Sequence, residues 1–428
     1  MKGNLVFVCA MLVLIGCSGS KSGRSAASDP YVRANELGLY TDLTYLSQRS
    51  VPEGTDAAPL YDKLGQNYSW QMTPAFYDYL NGEAGRDAAE QILEVTDFSV
   101  IEEITTRPNF VLNRDWTKPI EWILPEISQS KSMSRLLCTR ALYRVQDGRI
   151  DDAAQDLRRV ATLQEHMRQY GMALSQLTRS SNLTILARAA QQIAVELSDR
   201  PGELQLILDE LSAIAEPENL DTIRHEIALV RGSIGQLRRG DLSLEEFSAS
   251  PLGPTPAPPN PFDVARIDKY GDEIERYVTS LYVRCAEVWQ DRDQLASVYQ
   301  AIEDELEPTA SDGYKTVLTK TIAMMLGPMD GLQAYEDRQR AHLRTMRIGV
   351  AATILRAGDG DWPTLDEAAK YAGTSVQDPF GDRLRYKAEG PKLLVYSVGP
   401  DGTDEGGART REEREDPYDL AVFEVTAR

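Results

Sequence analysis

Histidine is the scarcest chemical resource in this chain. Its 428 residues include 3 histidines, His166, His225 and His342. They lie far apart, each on a helix-like stretch, which disfavours a zinc site or a histidine base. Cysteine is nearly as rare, with Cys9, Cys17, Cys138 and Cys285, and no Cys-x-x-Cys among them. Gly-x-Ser-x-Gly, His-Glu-x-x-His and the phosphate-binding loop are also missing, which removes the commonest hydrolase, metalloprotease and nucleotide-binding signatures. Positive charge is in deficit: 46 Lys and Arg against 66 Asp and Glu, a formal net charge of −20. Such a surface repels phosphate backbones and anionic headgroups, so nucleic acid is excluded as a partner class, and divalent cations or basic protein patches fit better. The apolar run Leu5 to Ile15 has eleven residues, too few to cross a hydrocarbon layer about 30 Å thick.

What is present is an ordinary globular composition. Apolar residues make up 42% and charged residues 26%, enough for two or three domains with cores of their own. The N-terminus has the order of an export signal: Lys2, the apolar run, then Leu14-Ile15-Gly16-Cys17. This tetrapeptide resembles the lipobox of bacterial lipoproteins. The resemblance implies cleavage before Cys17, acylation of its thiol and a lipid-anchored protein of the cell envelope. Several acyl chains, at about 0.8 kcal/mol per buried methylene, anchor firmly. Ser18, where an aspartate would mark inner-membrane retention, points to the outer membrane or periplasmic face. Residues 1–16 would be the signal and 17–30, rich in Ser, Gly and Ala, a flexible tether. Cys138 and Cys285 then reach an oxidising compartment, where they either pair or stay as small buried residues in apolar helical runs.

The expected fold is mainly α: a helical body followed by a small α+β module with a short antiparallel sheet. Residues 31–240 form the first helical domain. Asp87 to Glu90 opens a helix carrying Ile92 and Leu93. Leu137, Ala141 and Val145 share one face, and Gly148 ends their helix. Asp151 or Asp152 caps the next, with Ala154, Leu157 and Ala161 as its stripe. Leu177, Ile185, Ala189, Ile193 and Leu197 form a further row, ending at Ser198 to Pro201. Small residues at the crossing and glycine at the turn resemble a tetratricopeptide-type hairpin. A non-repetitive bundle fits equally, because no two further units are in phase and such arrays need about three. Six prolines between Pro251 and Pro261 make 241–262 an extended spacer. Helix resumes over 263–334, with Ile267, Tyr270, Ile274, Tyr277, Leu281 and Cys285 in one row, and a further helix runs from Tyr335 to Leu355.

The region 335–428 ends in short β-like runs, Leu384-Arg385-Tyr386, Leu393 to Tyr396 and Leu420 to Phe423, bounded by turn residues. Three of its motifs are similar to the C-terminal domain of type II secretion major pseudopilins: Trp362-Pro363-Thr364, Asp378-Pro379-Phe380-Gly381-Asp382, and Tyr396-Ser397-Val398-Gly399-Pro400-Asp401-Gly402. The chain departs from that family in lacking an N-terminal processing site and polymerising helix. The resemblance therefore implies a small αβ fold, not filament formation. The family's loop holds calcium, which takes six to eight oxygens. Here Asp401, Asp404, Asp416 and Asp419, beside Glu405, would supply carboxylates; Arg409, Arg411 and Arg414 are the alternative means of neutralising them. The layout as a whole resembles exported proteins of planctomycete-type bacteria. These features point to a non-catalytic, membrane-anchored scaffold with a protein partner. The alternatives are an accessory protein of a type II secretion or pilus-like machine and a carboxylate-dependent hydrolase.

Overall fold

A computed structural model of the chain describes residues 29–39, 41–47, 50–67, 75–111, 115–118, 125–218, 220, 223–241, 261–306, 329–407 and 420–427. The lipobox with Cys17, the proline-rich stretch before Pro261, and Asp416 and Asp419 lie outside them. The protein is mainly helical, and its C-terminal part carries a three-stranded antiparallel sheet.

Short helices come first: α1 (Pro30–Glu36), α2 (Leu43–Ser47), α3 (Ala58–Asn67), α4 (Ala75–Leu80), α5 (Arg86–Glu94) and α6 (Ser99–Thr106). The long helices α7 (Pro125–Gln146) and α8 (Ile150–Tyr170) form an antiparallel hairpin about Gly148, whose φ of 74° suits glycine. A second hairpin follows at once. Helix α9 (Ala173–Glu196) ends before Ser198, and Pro201 occupies the first position of α10 (Pro201–Ser212), where its missing N–H costs nothing. The two hairpins stack, α9 against α7 and α10 against α8, while α3 and α6 lean on the outer side of α7 and α8.

The next helix of this stack arrives much later in sequence. Helix α14 (Met329–Asp359) lies against α9 and α10. Between them come α11 (Glu226–Arg239), α12 (Pro261–Glu287) and α13 (Arg292–Leu306), which build a second apolar cluster with α1 around Ile227, Ile274, Tyr282 and Trp289. The body is thus a stack of helical hairpins interrupted by an insertion. The second hairpin differs in turn length and the third helix is displaced, so no fixed sequence period survives.

Some local expectations are corrected. Asp151 and Asp152 do not cap α8; the cap position is Arg149, and both aspartates sit in the first turn, where they favour the positive end of the helix dipole. Leu177 is 38% exposed rather than part of the buried row, whose other members, Ile185, Ala189, Ile193 and Leu197, are buried. In the stripe of α8, Ala154 and Leu157 are buried as expected, with Ala153 and Val160 beside them, while Ala161 is only partly buried. Cys138 and Cys285 occupy different apolar clusters, and the two are not joined in a disulfide.

Helix α15 (Leu365–Ala372) and strands β1 (Arg385–Glu389), β2 (Lys392–Ser397) and β3 (Leu420–Thr426) complete the chain, with strand order β1-β2-β3. Strand β3 alternates buried Ala421, Phe423 and Val425 with more exposed neighbours, the period of a sheet with one covered face. That face packs on α14 and α9, and the Glu424 N–H donates to Gln191 Oε1 of α9. Gly349 makes the approach possible, since a Cβ there would lie 2.0 Å from the Phe423 ring. The apolar core runs without a break from Leu60 and Leu137 through Ile193 and Ile348 to Val395 and Val425. Helix α14 therefore belongs to the body and to the sheet at once, and the sheet closes the end of the helical stack.

Candidate functional site

Hydrogen bonds tie the first of the C-terminal motifs to β1 and its turn, and the second motif to the third. Thr364 caps α15 through a reciprocal capping box with Glu367. The Trp362 indole donates to the Gly390 carbonyl, and the Tyr386 hydroxyl donates to the Pro363 carbonyl at 2.7 Å, tying the first motif to β1. Asp378, 1% exposed, joins the second motif to the third. It accepts from the Phe380 N–H, the Ser397 hydroxyl at 2.7 Å and the Val398 N–H at 2.9 Å. A buried carboxylate needs such donors, and three of them fix the loop against the end of β2.

The expected ligands divide. Asp401 is exposed and accepts from the Thr403 N–H, a local turn. Asp404 accepts from the Tyr396 hydroxyl at 2.6 Å, the Gly406 N–H and the Arg385 guanidinium at 3.0 Å. Burial pushes its carboxyl up, but the bonds from Tyr396, Gly406 and Arg385, with Lys387 nearby, outweigh that and hold it below the usual carboxylate range. Asp404 thus carries a guanidinium where a cation would sit, and calcium would have to displace Arg385. This arginine comes from β1, not from the loop arginines expected to do the work; Arg409, Arg411 and Arg414 lie outside the described residues. Among the described residues, no three His, Cys, Asp or Glu side chains are grouped to hold a metal.

Sequence reading missed a second feature, the polar half of the helical stack. Helices α7, α9 and α14 run parallel, and the interior of each is polar in its N-terminal half: Gln129, Ser130 and Ser134 in α7; Gln176, Arg179 and Asn182 in α9; Glu336 and Gln339 in α14. Arg179 donates to Gln339 Oε1 at 2.7 Å, Gln339 donates to the Gln176 carbonyl, and Asn182 donates to the Ser130 hydroxyl at 3.1 Å. Gln164 of α8 is fully buried at the same end, and among the described residues neither its side-chain oxygen nor its nitrogen has a hydrogen-bond partner. Asn182 Oδ1, Gln129 Oε1 and Ser134 Oγ share that condition.

Two histidines belong to this half. His166 Nε2 faces the Arg107 carbonyl at 2.7 Å, so it carries the proton, and Nδ1 accepts from the Tyr61 hydroxyl. His342 Nε2 meets the Thr184 hydroxyl at 3.1 Å. Burial pulls both imidazoles down to about 4. Both are neutral, and among the described residues no carboxylate stands in hydrogen-bond contact with either.

Arginines of α14 stitch this part together. Arg347 donates to the Leu211, Ser212 and Ile214 carbonyls, Arg344 forks onto Glu216 at 2.7 and 3.0 Å, and Arg340 reaches the Pro217 carbonyl. They satisfy the carbonyls left open where α10 ends. On the other flank, Asp156, fully buried, is held by Arg140, Arg144 and Arg159. These are structural ion pairs, with the carboxylates saturated by guanidinium donors. No family model, curated protein or solved structure matches this chain.

Proposed function

We propose that the chain is an exported lipoprotein, acylated on Cys17 and held at the cell envelope, whose stacked helical hairpins form a non-catalytic scaffold for a protein partner. The observation that supports it most is the architecture: long hairpins stacked side by side and closed at one end by a sheet. Extended arrays of this kind present a broad surface built from neighbouring helices, and terminal closure keeps the last helix from exposing its apolar face. The described buried charges are engaged in holding that frame. The inference from fold to role is by analogy, so it is tested directly. Cells expressing the chain are labelled with palmitate and fractionated, and membranes are cross-linked and the protein recovered. The Cys17→Ser form should lose label and membrane association. Recovery of the wild-type chain with no reproducible partner overturns the scaffold reading.

A second reading, an accessory part of a secretion or pilus-like machine, is favoured by the bonds of Asp378 to Ser397 and Val398, which join two of the pseudopilin-like motifs, and by the Tyr386–Pro363 bond, which ties the other to β1. Calcium held by Asp401, Asp404, Asp416 and Asp419 belongs to this reading. Millimolar calcium should then raise the melting temperature, and Asp401→Ala should abolish the rise; an unchanged wild-type melting curve removes the metal.

A further inference from the structure

The chain is pinned on both sides of α1. Asp29 caps this helix by accepting the Tyr31 N–H at 3.0 Å, and it pairs with Arg276 of α12 at 3.3 Å. Two guanidiniums stand over the Tyr31 ring, Arg231 of α11 at 5.0 Å and Arg276 at 5.6 Å. Arg33 pairs with Glu287 of α12 at 2.8 Å. Ala34 and Leu39 are buried in the second apolar cluster, and just beyond them Arg231 donates to the Thr41 carbonyl. Helix α1 is therefore docked along α12.

That second cluster has a fixed place on the stack. The Ala173 N–H, at the start of α9, donates to Glu226 of α11 at 2.6 Å, and the His225 ring packs against Gly171. Trp289, which follows α12, accepts from Gln333 at its carbonyl and donates from its indole to Glu336, both near the start of α14. Helices α11 to α13, with α1 on them, thus sit at the end of the stack that carries the α8–α9 turn. The α7–α8 turn at Gly148 marks the other end, about 30 Å away along the 21 residues of α8.

The geometry points to one orientation at the envelope: the α1–α12 edge is the side turned to the lipid surface, and the α7–α8 turn projects away from it. This rests on acylation of Cys17, proposed above.

Chain length decides the orientation. Twelve residue steps separate Cys17 from Asp29, and at about 3.5 Å for a fully extended residue they reach roughly 40 Å. A compact body of the size that follows has a radius of gyration of about 21 Å and is roughly 55 Å across. With Asp29 on the far side of such a body, the lipid would be out of reach, so the body must turn its α1 edge inward. The contacts of α1 are what keep the span short. Releasing the chain as far as Thr41 would double it, and the body could then turn over. The exposed side chains of this edge carry both signs, Arg33 and Arg276 beside Glu36, Asp272 and Glu287, so the edge has no single-sign charge to hold it to a headgroup layer. Reach sets the orientation, and adhesion does not. The outward end then offers Arg86, Asp147, Arg149 and Asp151 to a protein partner.

The test is energy transfer from a donor dye to rhodamine-labelled lipid, in phosphatidylcholine vesicles carrying the full-length acylated chain. Cys138 and Cys285 are fully buried. Gln290→Cys, just after α12, and Asp151→Cys, beside the α7–α8 turn, therefore each place the dye at one exposed site. With the two ends about 30 Å apart, transfer from the Gln290→Cys dye should exceed that from the Asp151→Cys dye by more than about twofold. Equal or reversed transfer overturns the orientation. A second form, with about thirty Gly and Ser residues inserted after Ser28, leaves the folded body as it is and gives it room to turn. There the difference should vanish, and a difference that persists overturns chain length as its cause. A wild-type chain that takes up no palmitate fails earlier, at Cys17 itself, and removes the lipoprotein reading together with the orientation.

Discussion

The two halves of the helical stack are built on one set of helices and solve burial differently. Toward the C-terminal ends of α7 and α9 the interior is Leu137, Ala141, Leu186, Ala189 and Ile193, and the buried Asp156 nearby holds three arginines. Toward their N-terminal ends the same rows become Ser130, Ser134, Arg179 and Asn182, with several polar atoms lacking a hydrogen-bond partner among the described residues. Burying an unpaired polar group costs about 1–3 kcal/mol, whereas a well-packed leucine contributes about 1.5–3 kcal/mol. Stability should therefore concentrate in the apolar half, and the polar half should open first.

Four measurements break or sharpen that contrast. The largest effect is expected at Asp156. Asp156→Ala leaves Arg140, Arg144 and Arg159 crowded without their anion and should destabilise by about 3–5 kcal/mol in urea unfolding; a loss under 1 kcal/mol would mean the cluster is not what holds that half.

Acid comes next, and acts on the polar half. His166 and His342, both lowered to about 4, are neutral in the fold. The stability tied to them is intact above pH 6.5 and is lost as pH falls toward 4. At pH 4.5 each should have lost about 2.5 kcal/mol. His342→Gln should flatten the decline between pH 6.5 and 4.5; an unaltered slope would show that the imidazole is not sealed from water.

Gly349→Ala tests whether the sheet is part of the core. Its Cβ meets the Phe423 ring, and overpacking of this kind costs about 1–3 kcal/mol. Loss of β3 amide protection should accompany the drop, and unchanged stability would mean the sheet rides loosely on α14. The smallest effect has the opposite sign. Gln164→Met keeps the side-chain volume and removes two unpartnered buried atoms, so stability should rise by about 1 kcal/mol. A fall of that size would show that Gln164 is satisfied in solution and that the polar half is better built than its contacts indicate.

Much of the frame was readable from residue order. The periodic rows of α7, α9 and α12, the stop at Gly148, the boundary at Pro201 and the three short strands follow from spacing and turn chemistry. Leu177 misled because periodicity assigns a face without saying how far the neighbouring helices cover it; the leucine is 38% exposed, unlike the rest of its row. The polar half was illegible for a related reason. Ser130, Gln164 and Asn182 read as solvated positions, and only the stacking of four helices puts them inside. Asp404 shows the same limit at the sheet. Its carboxylate was visible in the loop, but its partner Arg385 lies on another strand, brought alongside by the pairing of β1 with β2.

The order of residues alone determined most of the helices, turns and strands and the net acidic charge, because each depends on composition or on neighbours within a few positions. The tertiary structure decided which hairpin stacks on which, that α14 serves body and sheet together, and that Glu226 reaches Ala173 across 53 positions. Contacts at such separation carry no local pattern; they arise from the packing of whole faces, which no short stretch of chain encodes.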